Sequence, residues 1–593
     1  MKQILQESIP LNRDRFPQKR AINFCCLLLW MAIGSILRFY NLEGKTVWSD
    51  EWSTIVFSLG HSFREISLDK IIDLPTLLNI LQVESSNSAG DTIAHLMAES
   101  THPPLYFVLS HWWLTLFAGD GDLVSIWQAR SLSAILGIVA IPAMFGLGWL
   151  VFNSLLAAQF AAALMAVSPY SIYLAQEARH YTLAILWVIA SLACWITTIR
   201  HLSRQQVPQR SLMLVWVVVN SLGMATHYFF GLNLLAQALV LLTLCWSDVK
   251  SDRQQAKPTL LTSIWRRIAL AILGTLAGSA VWVFSWLNFP HERLTTWTQQ
   301  DFDLGWSLLS PLGRLLAWNL TMFVLPPVEG VSDWIIAISA VLLLPILFWL
   351  VKLTWQYLRT ADSPTEVAVQ RFVGISLVLN LVFTYIIGRD LTLAARFQYF
   401  YFPLILILGA GVLNRQWQST RRQLSSRILV VAILLLGCLG GVVIVNNYGF
   451  QKSDRPDLFV PAIAEVNQDV PIVMATVYRT HGQAVESIGL AWEWQQYAEG
   501  INDKSSDAPQ FLLFSVEDNY RNATSNLYRF LEEFPRPFDL WLVNFSASTV
   551  LKYHTLNSQY CQANPDARPR VSGYRAYYYH CREKPANARK NYY

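Results

Sequence analysis

Charge is scarce in this sequence: Asp, Glu, Lys and Arg make up 14% of its 593 residues, where soluble domains carry about 25%. A soluble globular chain of this length is thereby excluded. Basic patches interleaved with aromatics are missing, which sets nucleic acid aside as a partner. Cys-x-x-Cys pairs and His-rich clusters with zinc-ligand spacing are missing too, as are fixed-period repeats and low-complexity linkers. Cysteine is sparse, at seven residues. Five of them (Cys25, Cys26, Cys194, Cys245, Cys438) sit inside apolar stretches as small hydrophobes. Cys561 and Cys581 stand together in a polar C-terminal region, where an oxidising compartment would let them pair.

What the chain has is apolar length. It is 53% hydrophobic and 13% aromatic, with a mean hydropathy of +0.32. The apolar residues come in blocks near 22–37, 129–151, 157–174, 181–199, 212–226, 228–246, 268–288, 334–351, 372–388, 400–413 and 428–446. Each approaches the roughly 20 residues that cross a bilayer as a helix. The expected fold is therefore an α-helical polytopic membrane domain of about eleven spans. The first block follows Lys2, Arg13, Arg15, Lys19 and Arg20, but Arg38-Phe39-Tyr40-Asn41 after it offers no small-residue cleavage site. It reads as an uncleaved span with a cytoplasmic N-terminus, residues 1–20.

Two further stretches, 104–118 and 308–327, are short or broken by proline (Pro104, Pro311, Pro326, Pro327). If neither crosses, the cytoplasmic segments hold twenty Lys and Arg against eight in the longer outer segments. If 104–118 alone crossed, Arg200–Arg210 and Lys250–Arg267 would move outside and invert that bias. Positive charge favours the cytoplasmic side, so both stretches are expected to lie in the outer interface. An odd span count then places the tail, 447–593, outside the cytoplasm of a plasma (inner) membrane protein whose transmembrane domain is 21–446. The tail alternates strand patterns (Pro471–Tyr478, Phe511–Val516, Phe538–Phe545, Gly573–His580) with helical ones (Val485–Tyr497, Asn522–Phe534). That alternation predicts a small α/β domain; it has no Gly-rich phosphate loop, so no nucleotide is assigned to it.

The first outer loop, 40–128, is long enough to be folded or functional. It opens with Trp48-Ser49-Asp50-Glu51-Trp52-Ser53, an acidic pair between tryptophans. On the same face lie Thr101-His102-Pro103-Pro104, Gln176-Glu177-Ala178-Arg179-His180-Tyr181 and Thr226-His227-Tyr228. Glu177 and Arg179 are squeezed between two apolar blocks, where a charge near hydrocarbon costs about 3 kcal/mol. Arg389-Asp390 and Arg396-Phe397-Gln398-Tyr399 complete the set. These arginines stand outside against the positive-inside trend, which a bound phosphate would explain. The plainer reading pairs Arg389 with Asp390 and lets Arg396 snorkel. A carboxylate can take the proton from an acceptor hydroxyl, while guanidinium groups hold a departing phosphate. Nucleotide sugars are absent at an outer face, so the chemistry points to a lipid-phosphate-linked sugar.

The motifs WSDEWST, THPPLYF, QEARHY, THY and RFQYFYFP, in this order, resemble glycosyltransferase family 39 and its relatives over roughly residues 20–415. These are the C-type membrane glycosyltransferases, among them protein O-mannosyltransferases and the aminoarabinose transferase of lipid A. The resemblance implies inverting transfer of a hexosyl or pentosyl group from a polyprenyl-phosphate donor. The acceptor would be a glycolipid, polysaccharide or protein hydroxyl of the envelope, reached at the membrane lipid surface. It implies Asp50 as general base, Glu51 as the residue that orients the acceptor or shapes the site, and Glu177 as the second acidic position. His102, Arg179, Tyr181, Arg389 and Arg396 are implied as donor or phosphate ligands, with Arg396 foremost. His227 falls where a relative has a metal-binding histidine; several relatives work without metal. No cofactor is therefore assigned, and a divalent ion on His227 with Asp50 or Glu177 is compatible with the set. Asp50, His102, Glu177, His227 and Arg396 are expected to converge. A transporter would carry charges within its spans, and these spans are almost uncharged. An envelope glycan polymerase or ligase would not need the Asp50–Glu51 pair.

Overall fold

A computed structural model describes residues 15–252, 258–288, 296–299, 305–361, 363–419, 423–466, 470–500, 508–516, 521–545, 556, 560–564 and 569–583. The basic N-terminal segment 1–14 and part of the 289–333 loop, both used in the charge count, lie outside the described residues.

The described chain falls into two compact units. The first, built from residues up to Leu42 with Arg130–Phe289 and Thr295–Phe450, is helical throughout. Every apolar block of the sequence is a helix there. Among the described residues, seven helices are long and apolar enough to cross a membrane: Ala21–Phe39, Ile126–Phe152, Tyr181–Ser203, Thr262–Trp282, Asp333–Leu358, Pro364–Tyr385 and Leu424–Val445. The bent pair Leu155–Val167 and Pro169–Ala175 makes up to eight. Arg210–Met224 and Phe230–Trp246 are apolar but shorter, so helix length does not establish a count of eleven spans. The Asp333–Leu358 helix has a mean hydropathy of 2.6, and none of its apolar window is buried against protein. A surface that apolar is stable only against lipid. The chain is a multi-pass membrane protein.

The bend at Ser168-Pro169 (54°) has a local cause. Pro169 lacks the N–H that would pair with the Met165 carbonyl four residues back, and Arg38 takes that place. Its guanidinium, wholly buried, donates to Met165 O (2.9 Å), Ala166 O (3.1 Å) and Ser171 Oγ (2.8 Å). A cation is also favoured where helical carbonyls are left open. Gly137 makes the room: a Cβ there would lie 2.9 Å from Arg38 Nε. The helix Pro169–Ala175 then delivers Gln176 and Glu177 at its end.

The second unit joins Glu43–Ala129 to Gln451–Tyr593. The first loop and the tail therefore fold together. Their six-stranded sheet consists of β1 (Ile71–Ile72), β2 (Ile472–Tyr478), β3 (Gln510–Ser515), β4 (Phe538–Val543), β5 (Cys561–Ala563) and β6 (Ala576–Cys581). Its order is β1-β3-β2-β4-β6-β5. β2 runs parallel to both β3 and β4, as continuous apolar strands that are buried on both faces tend to do. β6 adds antiparallel to β4, and β5 to β6. Cys561 and Cys581 face each other across that last pair and are disulfide-bonded, Cα atoms 3.9 Å apart. β1 comes from the first loop: Ile71 and Ile72 pair with Leu512 and Phe511. Asp69 secures the join, its backbone N–H donating to Leu513 O (2.9 Å) and its carboxylate accepting from Asn526 (2.8 Å).

Candidate active site

The candidate residues divide between the two units: Asp50, Glu51 and His102 in one, the rest in the other. Asp50 and Glu51 occupy the first turn of the helix Ser49–Ser58, where open backbone N–H groups favour carboxylates. The pair is split by burial: Glu51 is 0% exposed, whereas Asp50 is half-buried. Trp48, ahead of the helix, lies under the Lys452 ammonium (5.1 Å), and Trp52 packs on Trp492 (5.4 Å between ring centroids). Gly489 allows that approach, since a Cβ there would meet Trp52 Nε1 at 3.2 Å. Trp492 and Gly489 belong to the helix His481–Gly500 that follows β2. The tail thus clamps the helix that bears Asp50. His102 sits just before the helix Leu105–Thr115, with Nδ1 3.0 Å from Ser100 Oγ and its ring 6.0 Å from Phe107.

Sequence reading missed His481. Its imidazole stacks on Phe63 (5.2 Å, 24°) and meets Phe57 edge-on (5.9 Å, 78°). Burial pushes its pKa down to about 4, against the charge of Asp50, which raises it. The position was signalled weakly: His481 lies just beyond the C-terminal end of a central parallel strand, where such sheets collect ligand contacts.

In the membrane unit, Gln176 through His180 form a tight, fully buried turn. The Gln176 amide donates to Tyr40 O (2.9 Å), the Arg179 N–H to Glu177 O (2.7 Å), and Ser133 Oγ to Arg179 O (2.9 Å). The Arg179 guanidinium lies 5.8 Å from the Tyr181 ring. His180 and His227 stack at 4.5 Å, and Tyr181 and Tyr399 enclose His227 at 5.8 and 5.4 Å. Glu177, Arg179, Tyr181 and His227 are all buried, at 1, 2, 1 and 7% exposure.

His227 Nδ1 accepts from the Phe229 N–H (3.0 Å), with Tyr399 Oη also within reach at 3.2 Å. A backbone N–H can only donate, so Nδ1 is unprotonated and already engaged. Among the described residues, no group of three or more His, Cys, Asp or Glu side chains could hold a metal ion. No step below runs through a metal.

Arg396 sits half-buried in the one-turn segment Ala395–Phe400. Its guanidinium lies 5.3 Å from the Phe397 ring and 5.7 Å from that of Trp297, an apolar bed of the kind guanidinium groups favour. Arg389 pairs with the 296–299 segment instead of Asp390: it donates to Thr298 Oγ1 (3.3 Å), and the Gln299 amide oxygen, turned toward it, accepts at 2.9 and 3.3 Å. Asp390, 0% exposed, takes Arg314 as its partner (2.6 Å) and also accepts from the Thr392 N–H (2.9 Å) and Oγ1 (2.7 Å). Arg314 lies on the helix Trp306–Thr321, and Trp318 one turn on donates to Thr392 O (2.7 Å). That helix therefore anchors the loop leading to Arg396.

No family model and no curated protein sequence matches the chain. Solved structures do. ArnT from Cupriavidus metallidurans bound to undecaprenyl phosphate aligns with a TM-score of 0.50 at 13% identity, over 93% of this chain and 97% of that one. ArnT in the apo state gives 0.49 at 14% identity over the same shares. The Archaeoglobus fulgidus oligosaccharyltransferase in complex with Zn and sulfate gives 0.45 at 14% identity, over 78% of this chain and 61% of its own. At 13% identity the likeness to ArnT is one of fold, and that fold is the C-type membrane glycosyltransferase fold.

Proposed function

We propose that this protein is an inverting glycosyltransferase that moves a sugar from a polyprenyl-phosphate donor to a hydroxyl of an envelope acceptor. The transfer takes place at the outer face of the plasma membrane. Asp50 is the general base: its carboxylate takes the acceptor's hydroxyl proton as the oxygen attacks the anomeric carbon. The bond from that carbon to the phosphate oxygen breaks, and polyprenyl phosphate leaves with an added negative charge. Arg396 holds that phosphate, with Arg389, Arg179, Tyr181 and His102 as further donor contacts. Glu177 is the second acidic group, and Glu51, sealed beside Asp50, shapes the site.

The observation that carries the assignment is the split between neighbours. Of two carboxylates in one helical turn, Glu51 is sealed and Asp50 is accessible; a base must reach its substrate. The fold supports the lipid carrier, since ArnT was solved with undecaprenyl phosphate. The charge bias of the loops supports the outer orientation.

The test is transfer in proteoliposomes from a panel of undecaprenyl-phosphate-linked hexoses and pentoses. Envelope extract of a strain lacking the protein serves as acceptor. Asp50→Asn should lose at least about 100-fold in turnover while binding undecaprenyl phosphate within about threefold of wild type. Arg396→Ala should lose undecaprenyl phosphate binding first, by about 10- to 100-fold for one charge-assisted contact. Wild-type turnover by Asp50→Asn would remove it as the base.

A further inference from the structure

The tail supplies a polar ring beside the acidic pair. Phe57, which meets His481 edge-on, lies seven residues beyond Asp50 on the helix Ser49–Ser58. Residues two turns apart share a helical face, so His481 packs on the face that carries Asp50. Its seat between Phe57 and Phe63 is aromatic on both sides, and a phenylalanine would fill it as well. Neither ring nitrogen has a hydrogen-bond partner among the described residues, and the ring is half-buried. A half-buried ring whose nitrogens make no protein hydrogen bond is left to water, and a ligand hydroxyl can replace that water. With a pKa of about 4, the imidazole is neutral at physiological pH and offers one donor and one acceptor.

We infer that His481 is an acceptor-binding residue: its ring N–H donates to the acceptor hydroxyl oxygen, or to a neighbouring hydroxyl, while Asp50 accepts the hydroxyl proton. The tail is then part of the acceptor site, and the chemistry it recognises is a polyhydroxylated molecule brought to the membrane surface. This inference rests on Asp50 being the base.

The same proteoliposome assay tests it, with the amount of envelope extract varied. His481→Phe keeps the aromatic seat and removes the polar nitrogens. The extract needed for half-saturation should rise about tenfold, the loss of one ordinary hydrogen bond, with undecaprenyl phosphate binding changed less than twofold. His481→Asn, which keeps a donor and an acceptor, should recover part of the loss. Saturation of His481→Phe at the wild-type level would overturn the inference. So would an equal fall in undecaprenyl phosphate binding, which would mark general damage. Asp50→Asn run alongside separates the two failures. If it is inactive and His481→Phe is normal, only the acceptor contact falls; if it is fully active, the base assignment falls first.

Discussion

Replacing Arg314 by methionine should destabilise the membrane unit and weaken the donor site together. The side chain keeps its length but loses its charge, leaving the fully buried Asp390 carboxylate without its cation. Charges about 4 Å apart at an effective dielectric near 20 attract by about 4 kcal/mol. Arg314 retains 28% side-chain exposure, so solvent screening reduces that figure. Asp390 also keeps the two Thr392 hydrogen bonds, which partly satisfy it. About 2–3 kcal/mol remains, at the low end of the range for stripping one partner from a buried pair. The apparent melting temperature in detergent should fall by a few degrees. Arg389→Met should cost clearly less, because Arg389 contacts the 296–299 segment and not Asp390. The double variant Arg314→Met with Asp390→Asn should be more stable than Arg314→Met alone, since the stranded charge is gone. Undecaprenyl phosphate binding by Arg314→Met should weaken several-fold as the loop carrying Arg396 loosens. If Arg314→Met melts with wild type, or Arg389→Met costs as much, the assignment of the pair is wrong.

Burial raises the Glu486 carboxyl to about 7, outweighing the hydrogen bond donated by the Asn544 amide. The folded state therefore holds this proton more tightly than the unfolded one, and stability should fall as pH rises from about 4.5 to about 7, by on the order of 3 kcal/mol. Glu486→Gln should flatten that part of a melting-temperature profile, and an unchanged slope would count against the assignment. Removing the Cys561–Cys581 bond, which closes a loop of 20 residues, should cost the tail unit about 3 kcal/mol. Faster proteolysis of the tail in Cys561→Ser, or under reductant, is the readout; equal rates would deny the bond a stabilising role. Reporter fusions after Tyr448 should behave as extracytoplasmic, and cytoplasmic behaviour would reverse the orientation.

The helices were legible because lipid leaves so little choice: a run of apolar residues must satisfy its own backbone, and a helix does so. The tail's long strands were legible for a related reason. β2, β3 and β4 are largely apolar runs buried on both faces, with Asp539 the charged exception in β4. The short pieces were not. β1 is two isoleucines in the first loop, and its partners Leu512 and Phe511 lie some 440 positions away. Nothing local in Ile71-Ile72 distinguishes a strand from any other apolar pair, so the union of loop and tail in one unit was invisible. The break at Ser168-Pro169 shows a middle case. The proline marks a probable interruption, but the bend depends on Arg38, which the sequence shows only as the end of another block.

Charge partners were the least legible part of the site, and Asp390 shows why. Adjacent opposite charges in a sequence invite pairing, yet neighbouring side chains on an extended or turning backbone point different ways. A buried carboxylate takes whichever cation the fold brings within reach, and here that is Arg314, 76 positions earlier. The same reasoning explains why residue chemistry alone located Asp50 and Glu51 while only the family resemblance ranked them. A helix start was readable, but which of two consecutive residues meets solvent depends on what covers the helix. The helix His481–Gly500 packs on the neighbouring Trp52, through Trp492 and Gly489, from a region whose sequence carries no catalytic motif. The seating of the helix that bears the acidic pair thus depends in part on the tail, and Trp492→Ala should lower transfer in the proteoliposome assay without altering a single motif residue; unchanged turnover would count against that dependence.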